Sequence, residues 1–242
     1  MYYEIHGKGE PLLLIHGGGS TIESCFGRII PHLMANTMVI ALEMQAHGRT
    51  SDRDTPESFE QDADDAAELL KYLGIEKANI LGFSNGGNTT LQMALRHPKL
   101  VNRTVVISAF YKRAGMMPGF FDFMKTASLE NMPMPLQEAY MKVSPDPGGL
   151  QNMHDKDRDR MLNFTDWNQE LLMEIKAPTL LIFGDRDVVT LPHALEMNRL
   201  IPGSRLMILP GVHGECIGEI CSSSDDKVLF TAQMVVSFLR NT

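Results

Sequence analysis

Ser84 stands in the string Gly82-Phe83-Ser84-Asn85-Gly86-Gly87, between an apolar run, Ala78 to Leu81, and a helix-forming stretch, Asn88 to Arg96. A Gly-x-Ser-x-Gly string between strand and helix predicts a sharp turn that lifts the serine hydroxyl out of a sheet. Glycine suits Gly82 and Gly86 because the strand and helix backbones approach closely there, where a Cβ would collide. The chemistry on offer is nucleophilic attack by the Ser84 hydroxyl; the plain alternative is a glycine-rich turn.

A serine hydroxyl is a poor nucleophile at neutral pH and needs a base within hydrogen-bond reach, held in turn by a third group. Both are available downstream. Leu180-Leu181-Ile182-Phe183 runs into Gly184-Asp185-Arg186-Asp187, which puts two carboxylates just beyond a strand's carboxyl end, where open parallel sheets build their sites. Leu206 to Leu209 leads through Pro210-Gly211-Val212 to His213, again directly after a strand. His213 is therefore the expected base, with Asp187 or Asp185 as its partner. His6, His32, His97, His154 and His193 lack such a setting and read as surface or packing residues without metal-ligand spacing. No metal and no cofactor are implied.

These residues need a scaffold, and the rest of the chain predicts one. Short apolar runs at Leu12 to Ile15, Thr37 to Leu42, Ala78 to Leu81, Val101 to Ile107, Thr179 to Phe183 and Arg205 to Leu209 alternate with helical stretches. That alternation predicts parallel strands joined by crossover helices, an α/β fold. From Ser58 to Leu73, Phe59, Ala63, Ala66, Ala67, Leu70 and Leu73 share one helical face, leaving Glu60, Asp64, Asp65 and Glu68 for solvent. Val228 to Leu239 also reads as a helix. Tyr111 to Met173 is too long for a simple connection. It predicts a helical insertion, residues 111–173, over a core made of 1–110 and 174–242. Nine of the seventeen methionines fall in it, with Phe120, Phe121 and Phe123. Thioethers and aromatics suit a compliant pocket wall or the packing of the insertion itself. Pro133, Pro135, Pro145 and Pro147 divide it into short helices.

The order Ser84, then Asp187, then His213, together with the serine turn, resembles the α/β-hydrolase superfamily, with similarity running from about Tyr2 to Leu239 and weakest in the insertion. The resemblance implies a mostly parallel sheet flanked by helices on both faces, with a helical cap inserted after the family's sixth strand. It implies Asp187, the second Asp of Gly-Asp-x-Asp-x-Val, as the acid, with Asp185 bonding turn amides as the alternative reading. Some family members carry the acid after the preceding strand, but Ser108-Ala109-Phe110 has no carboxylate. His16-Gly17-Gly18-Gly19-Ser20 resembles the family's oxyanion loop, which assigns the backbone N–H groups of Gly18 and Asn85 as oxyanion donors, with Gly19 as a further candidate. Glu43 to Ser51 resembles a supporting turn of the family in which Ala46 replaces the usual glycine, so His47 is read as structural. The start near Met1 to Ile5 corresponds to the family's second strand.

At 242 residues and 43% apolar content the chain can bury one core. A formal charge of −8 and no basic cluster argue against nucleic acid as a partner. The apolar runs are strand-sized, well under the roughly 18 residues of a membrane span. The first residues lack the basic start and apolar stretch of a secretory signal. Cys25, Cys216 and Cys221 form no Cys-x-x-Cys pattern and read as reduced thiols of a cytoplasmic protein. No feature specifies an oligomeric state. Gly214 to Lys227, with its Ser222-Ser223-Ser224 run, is long for a loop after the base, and reads either as shaping the entrance or as a mobile stretch.

The expectation is a serine hydrolase that takes a small-molecule substrate, a small or medium hydrophobic carboxylic ester or lactone, through an acyl-enzyme on Ser84. Carbon–carbon bond hydrolysis, or acyl transfer including perhydrolysis, would use the same three residues. A small-ligand receptor or signalling protein on the same fold is the non-enzymatic alternative, distinguished by slow turnover and tight binding.

Overall fold

The computed structural model describes residues 1–222 and 225–240. A seven-stranded sheet has the order β1-β3-β2-β4-β5-β6-β7. Its strands are β1 (Tyr3–His6), β2 (Pro11–Ile15), β3 (Met38–Leu42), β4 (Ala78–Phe83), β5 (Val101–Ile107), β6 (Thr179–Arg186) and β7 (Arg205–Val212). Only β1 is antiparallel to its neighbour, pairing Tyr3 with Leu42 and His6 with Val39. The helices are α1 (Ile22–Phe26), α2 (Ile30–Leu33), α3 (Phe59–Tyr72), α4 (Asn85–Arg96), α5 (Phe120–Thr126), α6 (Met134–Val143), α7 (Leu150–Leu162), α8 (Gln169–Met173), α9 (Leu191–Leu200) and α10 (Asp225–Arg240). This is the mostly parallel α/β sheet expected from the alternating pattern.

The central strands are apolar almost throughout because both sheet faces are covered. Successive side chains alternate between faces. Leu12 and Leu14 join α1, α2 and α10 in one core layer, around Phe26, Leu33 and Val235. Leu13 and Ile15 join Ala63, Ala67 and Leu70 of α3 on the other. Ser58 caps α3 by accepting from the Gln61 amide, and Glu60 and Asp62 sit in its first turn, where the helix dipole favours them. Of the acidic residues assigned to solvent, Asp64 pairs with Arg96 and Asp65 with Arg53, whereas Asp62, not singled out in the sequence, is buried.

Residues 113–173 contribute helices and single turns and no strand of the sheet. Its α7 and α5 pack on each other, and its Met161 and Phe164 join Phe59, Phe110 and Phe183 in one apolar cluster. The helix predicted from Val228 begins at Asp225, while Ser223 and Ser224 of the serine run lie outside the described residues. No helix of the described residues is long and apolar enough to cross a membrane.

Candidate active site

At the end of β4 the chain turns through Ser84 with φ 54° and ψ −120°, a conformation outside the usual regions for an L-residue. The two flanking glycines allow it. A Cβ on Gly82 would lie 2.0 Å from the Gly86 carbonyl oxygen, and one on Gly86 would lie 2.0 Å from the Ile15 carbonyl oxygen. The backbone strain is thus held by close packing of β2, β4 and α4. The turn leaves Ser84 immediately before Asn85, the first residue of α4, and the Ser84 carbonyl accepts from the Gly87 and Asn88 amides at 2.8 and 3.1 Å.

β7 ends at Val212, and His213 follows it. Its Nε2 is 3.1 Å from Ser84 Oγ and its Nδ1 is 2.7 Å from Asp187 Oδ1. The His213 ring packs against Phe83, with 4.6 Å between centroids. The Asp187 side chain is completely buried and well bonded: Oδ2 accepts from Ser108 Oγ at 2.5 Å and from the Gly184 amide at 3.3 Å, and Oδ1 accepts from the Val189 amide at 3.3 Å. Burial alone would raise its carboxyl pKa; His213, Ser108 and Gly184 outweigh that and lower it. Asp185 points elsewhere, accepting from the Gly211 amide at 2.7 Å to tie β6 to β7. The structure therefore joins Ser84, His213 and Asp187 in one chain of hydrogen bonds and leaves Asp185 out.

The loop after β2 lies against Ser84: a Cβ on Gly17 would sit 3.2 Å from the Ser84 Cβ. His16 is fully buried and shapes this loop. Its Nδ1 donates to the Gly17 carbonyl at 2.7 Å and its Nε2 accepts from the Met44 amide at 3.0 Å. Burial and neighbouring His47 push its pKa down to about 3, so the ring is neutral. Gly18 and Asn85 both line the cavity at Ser84. Gly19 does not offer a free amide there, because its N–H donates to Asp157 Oδ2 at 2.6 Å.

Asp157 was not identifiable from the sequence, and neither was the buried charge cluster behind it. From α7 its Oδ2 also meets His47 Nε2 at 2.9 Å, and its Oδ1 accepts from Asn85 Nδ2 at 3.1 Å and from the Arg160 guanidinium. Arg160, almost wholly buried, reaches Asp62 at 2.5 Å and Glu57 at 3.1 Å. Burial works against the His47 charge, but the Asp157 carboxylate restores it and pushes the pKa up to about 9. Burial pushes Glu57 up to about 7, against the pull of Arg160. The supporting turn is built on Glu43, which accepts from the Arg49 amide at 2.6 Å, and Ala46 takes the positive φ of 63° usually left to glycine.

Ser84 and His213 open into a cavity of about 370 Å³ whose walls are mostly apolar. Five of the nine insertion methionines line it: Met116, Met124, Met132, Met153 and Met161, joined by Phe110, Phe120 and Phe123. Met117, Met134, Met141 and Met173 are exposed instead. The methionine-rich segment therefore does supply a pocket wall. His154, read as surface or packing, also faces the cavity. A larger cleft of about 620 Å³ lies between α7 and residues 54–60 and holds none of Ser84, His213 and Asp187. Among the described residues, no group of three or more His, Cys, Asp or Glu is arranged to hold a metal ion. The three cysteines are free thiols.

A family model described as the α/β-hydrolase fold matches residues 10–132. The chain is 28% identical over 225 residues to serine hydrolase BPHL from Homo sapiens, covering 87% of this chain and 75% of that protein. It is also 28% identical over 223 residues to the pimeloyl-[acyl-carrier protein] methyl ester esterase of Neisseria meningitidis serogroup C, covering 83% of this chain and 84% of that one. Among solved structures, the enol-lactonase from Burkholderia xenovorans LB400 superposes with a TM-score of 0.77 at 20% identity, over 99% of this chain and 96% of that one.

Proposed function

The chain belongs to the α/β-hydrolase family and is a hydrolase; on that premise we propose that it cleaves small or medium hydrophobic carboxylic esters, lactones included, through an acyl-enzyme on Ser84. The observation that carries this reading is the continuous Ser84–His213–Asp187 hydrogen-bond chain, with spacings of 3.1 and 2.7 Å, opening into an apolar cavity. The ester esterase among the relatives supports the choice of bond.

In this mechanism His213 Nε2 takes the Ser84 proton as Oγ attacks the carbonyl carbon, and Asp187 holds the ring and balances its charge. The backbone amides of Gly18 and Asn85 receive the oxyanion, each worth about 2.7 to 4 kcal/mol if lost. His213 then gives its proton to the departing alcohol. Water, deprotonated by the same nitrogen, hydrolyses the acyl-enzyme and restores Ser84. Every step runs on the chain's own side chains and amides. Residues 111–173 act as the cap over the core 1–110 and 174–242, and its methionines and phenylalanines receive the acyl chain. The partner is a small molecule rather than nucleic acid, and the free thiols suit a cytoplasmic setting.

The test is hydrolysis of p-nitrophenyl esters of graded acyl length by the native chain and by Ser84→Ala. Turnover by the native chain, lost in Ser84→Ala, is the expected result; equal activity in the two would remove Ser84 from the mechanism.

A further inference from the structure

We propose that Asp157 is a positioning residue of the oxyanion hole, clamping the loop after β2 and Asn85 at once and fastening both to the cap. The inference rests on the serine-hydrolase reading above and adds a part to it. The Asp157 carboxylate makes four contacts that serve different elements. Oδ2 holds the Gly19 amide at 2.6 Å and the His47 ring at 2.9 Å. Oδ1 holds the Asn85 side chain at 3.1 Å and the Arg160 guanidinium. Gly19 adjoins Gly18, and Asn85 bears the second donor on its own backbone. One side chain thus fixes the neighbours of both oxyanion amides, and it comes from α7, in the cap.

The packing leaves little slack. A Cβ on Gly18 would lie 2.6 Å from Asn85 Nδ2 and 3.0 Å from Asp157 Oδ2, so the loop, the helix start and the carboxylate meet at a point with no spare volume. With its acceptor sites filled by these donors, Asp157 is not free to bind substrate through the same contacts. It also takes the Gly19 amide out of the set of free donors, leaving Gly18 to serve.

An anionic carboxylate beside a developing oxyanion would oppose catalysis if it stood alone. The cluster prevents this with two cations, His47 from the loop after β3 and Arg160 from α7. Facing them are Glu57 before α3 and Asp62 within α3, while His16, in ring contact with His47, is neutral. Burial raises the Asp157 pKa, but His47 and Arg160 together hold it well below the ordinary carboxylate range, so the clamp stays charged. The His47 charge persists to about 9; above that, the unprotonated Nε2 turns its lone pair toward Asp157 and the clamp weakens.

Asp157→Asn tests this, because it keeps size, removes the charge and replaces one of the two acceptor oxygens with an NH2 donor that must face another donor. In the native enzyme kcat should fall at alkaline pH as His47 titrates near 9. In Asp157→Asn we expect kcat lower by about 10- to 100-fold, in line with the cost of a misplaced group, KM within about threefold, and that alkaline limb moved to lower pH. Fluorophosphonate labelling of Ser84, whose adduct places an oxygen in the oxyanion hole, should slow by a similar factor. Hydrogen exchange of residues 16–20 should speed up while that of β4 stays as in the native chain. The exchange readout needs no turnover, so failure of the ester reading shows in the native enzyme and failure of the clamp shows in this peptide. Asn85→Ala, which keeps the backbone donor and severs one arm, gives a smaller loss that does not add to that of Asp157→Asn; it serves equally if the first variant does not fold. A raised KM with unchanged kcat would make Asp157 a substrate contact, and unchanged exchange at 16–20 would remove the clamp; either result overturns the proposal.

Discussion

Ser108 and Asp187 are joined at 2.5 Å, Oγ to Oδ2, on the carboxylate oxygen that His213 does not use. Ser108 directly follows β5 with a positive φ of 55°, so the backbone accepts strain where it delivers this hydroxyl. The sequence shows this position as one lacking a carboxylate; the structure shows it donating to the carboxylate that stands one strand further on. A hydrogen bond to a charged group contributes roughly 1.5 to 3 kcal/mol. Ser108→Ala should therefore lower kcat/KM by about tenfold or more with the fold intact, measured by steady-state kinetics beside thermal unfolding. Activity equal to that of the native enzyme would show that Asp187 is held well enough by the Gly184 and Val189 amides.

The serine turn predicts a steric result. Gly82→Ala or Gly86→Ala places a methyl group 2.0 Å from a backbone carbonyl oxygen, which no side-chain rotation relieves. Overpacking costs about 1 to 3 kcal/mol, and here it acts on the geometry of Ser84 itself. Each variant should lose stability by about that amount in urea denaturation and lose ester hydrolysis almost entirely. Gly74→Ala is the contrast: its φ of 69° is strained for alanine, but no atom lies within 4 Å of the added methyl and the site is remote, so activity should persist.

Stability should fall as the solution is made alkaline. The folded-state pKa of His47, about 9, lies above its unfolded value near 6.5. Its contribution is complete below 6.5 and is lost as pH rises through 9; the difference corresponds to about 3 kcal/mol. Glu57, raised to about 7, acts in the same direction over a lower range, between roughly 4.5 and 7. Urea denaturation at pH 6.5 and 9.5 should show the drop in the native chain, and a smaller one in Asp157→Asn. A flat profile in the native chain would mean that His47 is neutral in the fold.

Ala127 lines the cavity and is buried against its wall. Ala127→Leu fills part of the space available to the acyl chain. The preferred p-nitrophenyl ester should become shorter by about three carbons, at roughly one carbon per added methylene-sized volume. An unchanged chain-length profile would place the acyl group elsewhere.

Much of the core of this site is legible in the sequence because short-range rules govern it. Gly82-Phe83-Ser84-Asn85-Gly86 is a local string whose strand and helix lie on either side, and Asp187 and His213 each follow an apolar run directly. β1 is less legible: four half-exposed residues at the sheet edge carry little apolar signal, and family likeness rather than periodicity pointed to it. The Asp157 clamp is hidden for a different reason. Asp155 to Arg160 carries a charged residue at every position, and what separates Asp157 and Arg160 from their neighbours is only their register with Leu150, Met153 and Met161 on the buried face of α7. Their partners His47, Glu57 and Asp62 are about 100 residues away, at 110, 103 and 98 positions from Asp157 and Arg160, and pairing at that distance is decided by tertiary packing. Ser108 is similar, since its role depends on which carboxylate the neighbouring strand delivers.

The proposed reaction stands on acyl-enzyme formation at Ser84. Its most direct measurement is intact mass and turnover together: the native chain and Ser84→Ala are exposed to a fluorophosphonate, and both are assayed with p-nitrophenyl esters. One phosphonyl adduct on Ser84 and rapid hydrolysis are expected in the native chain, with both abolished in Ser84→Ala. An adduct on another residue, or hydrolysis that survives the substitution, would contradict it.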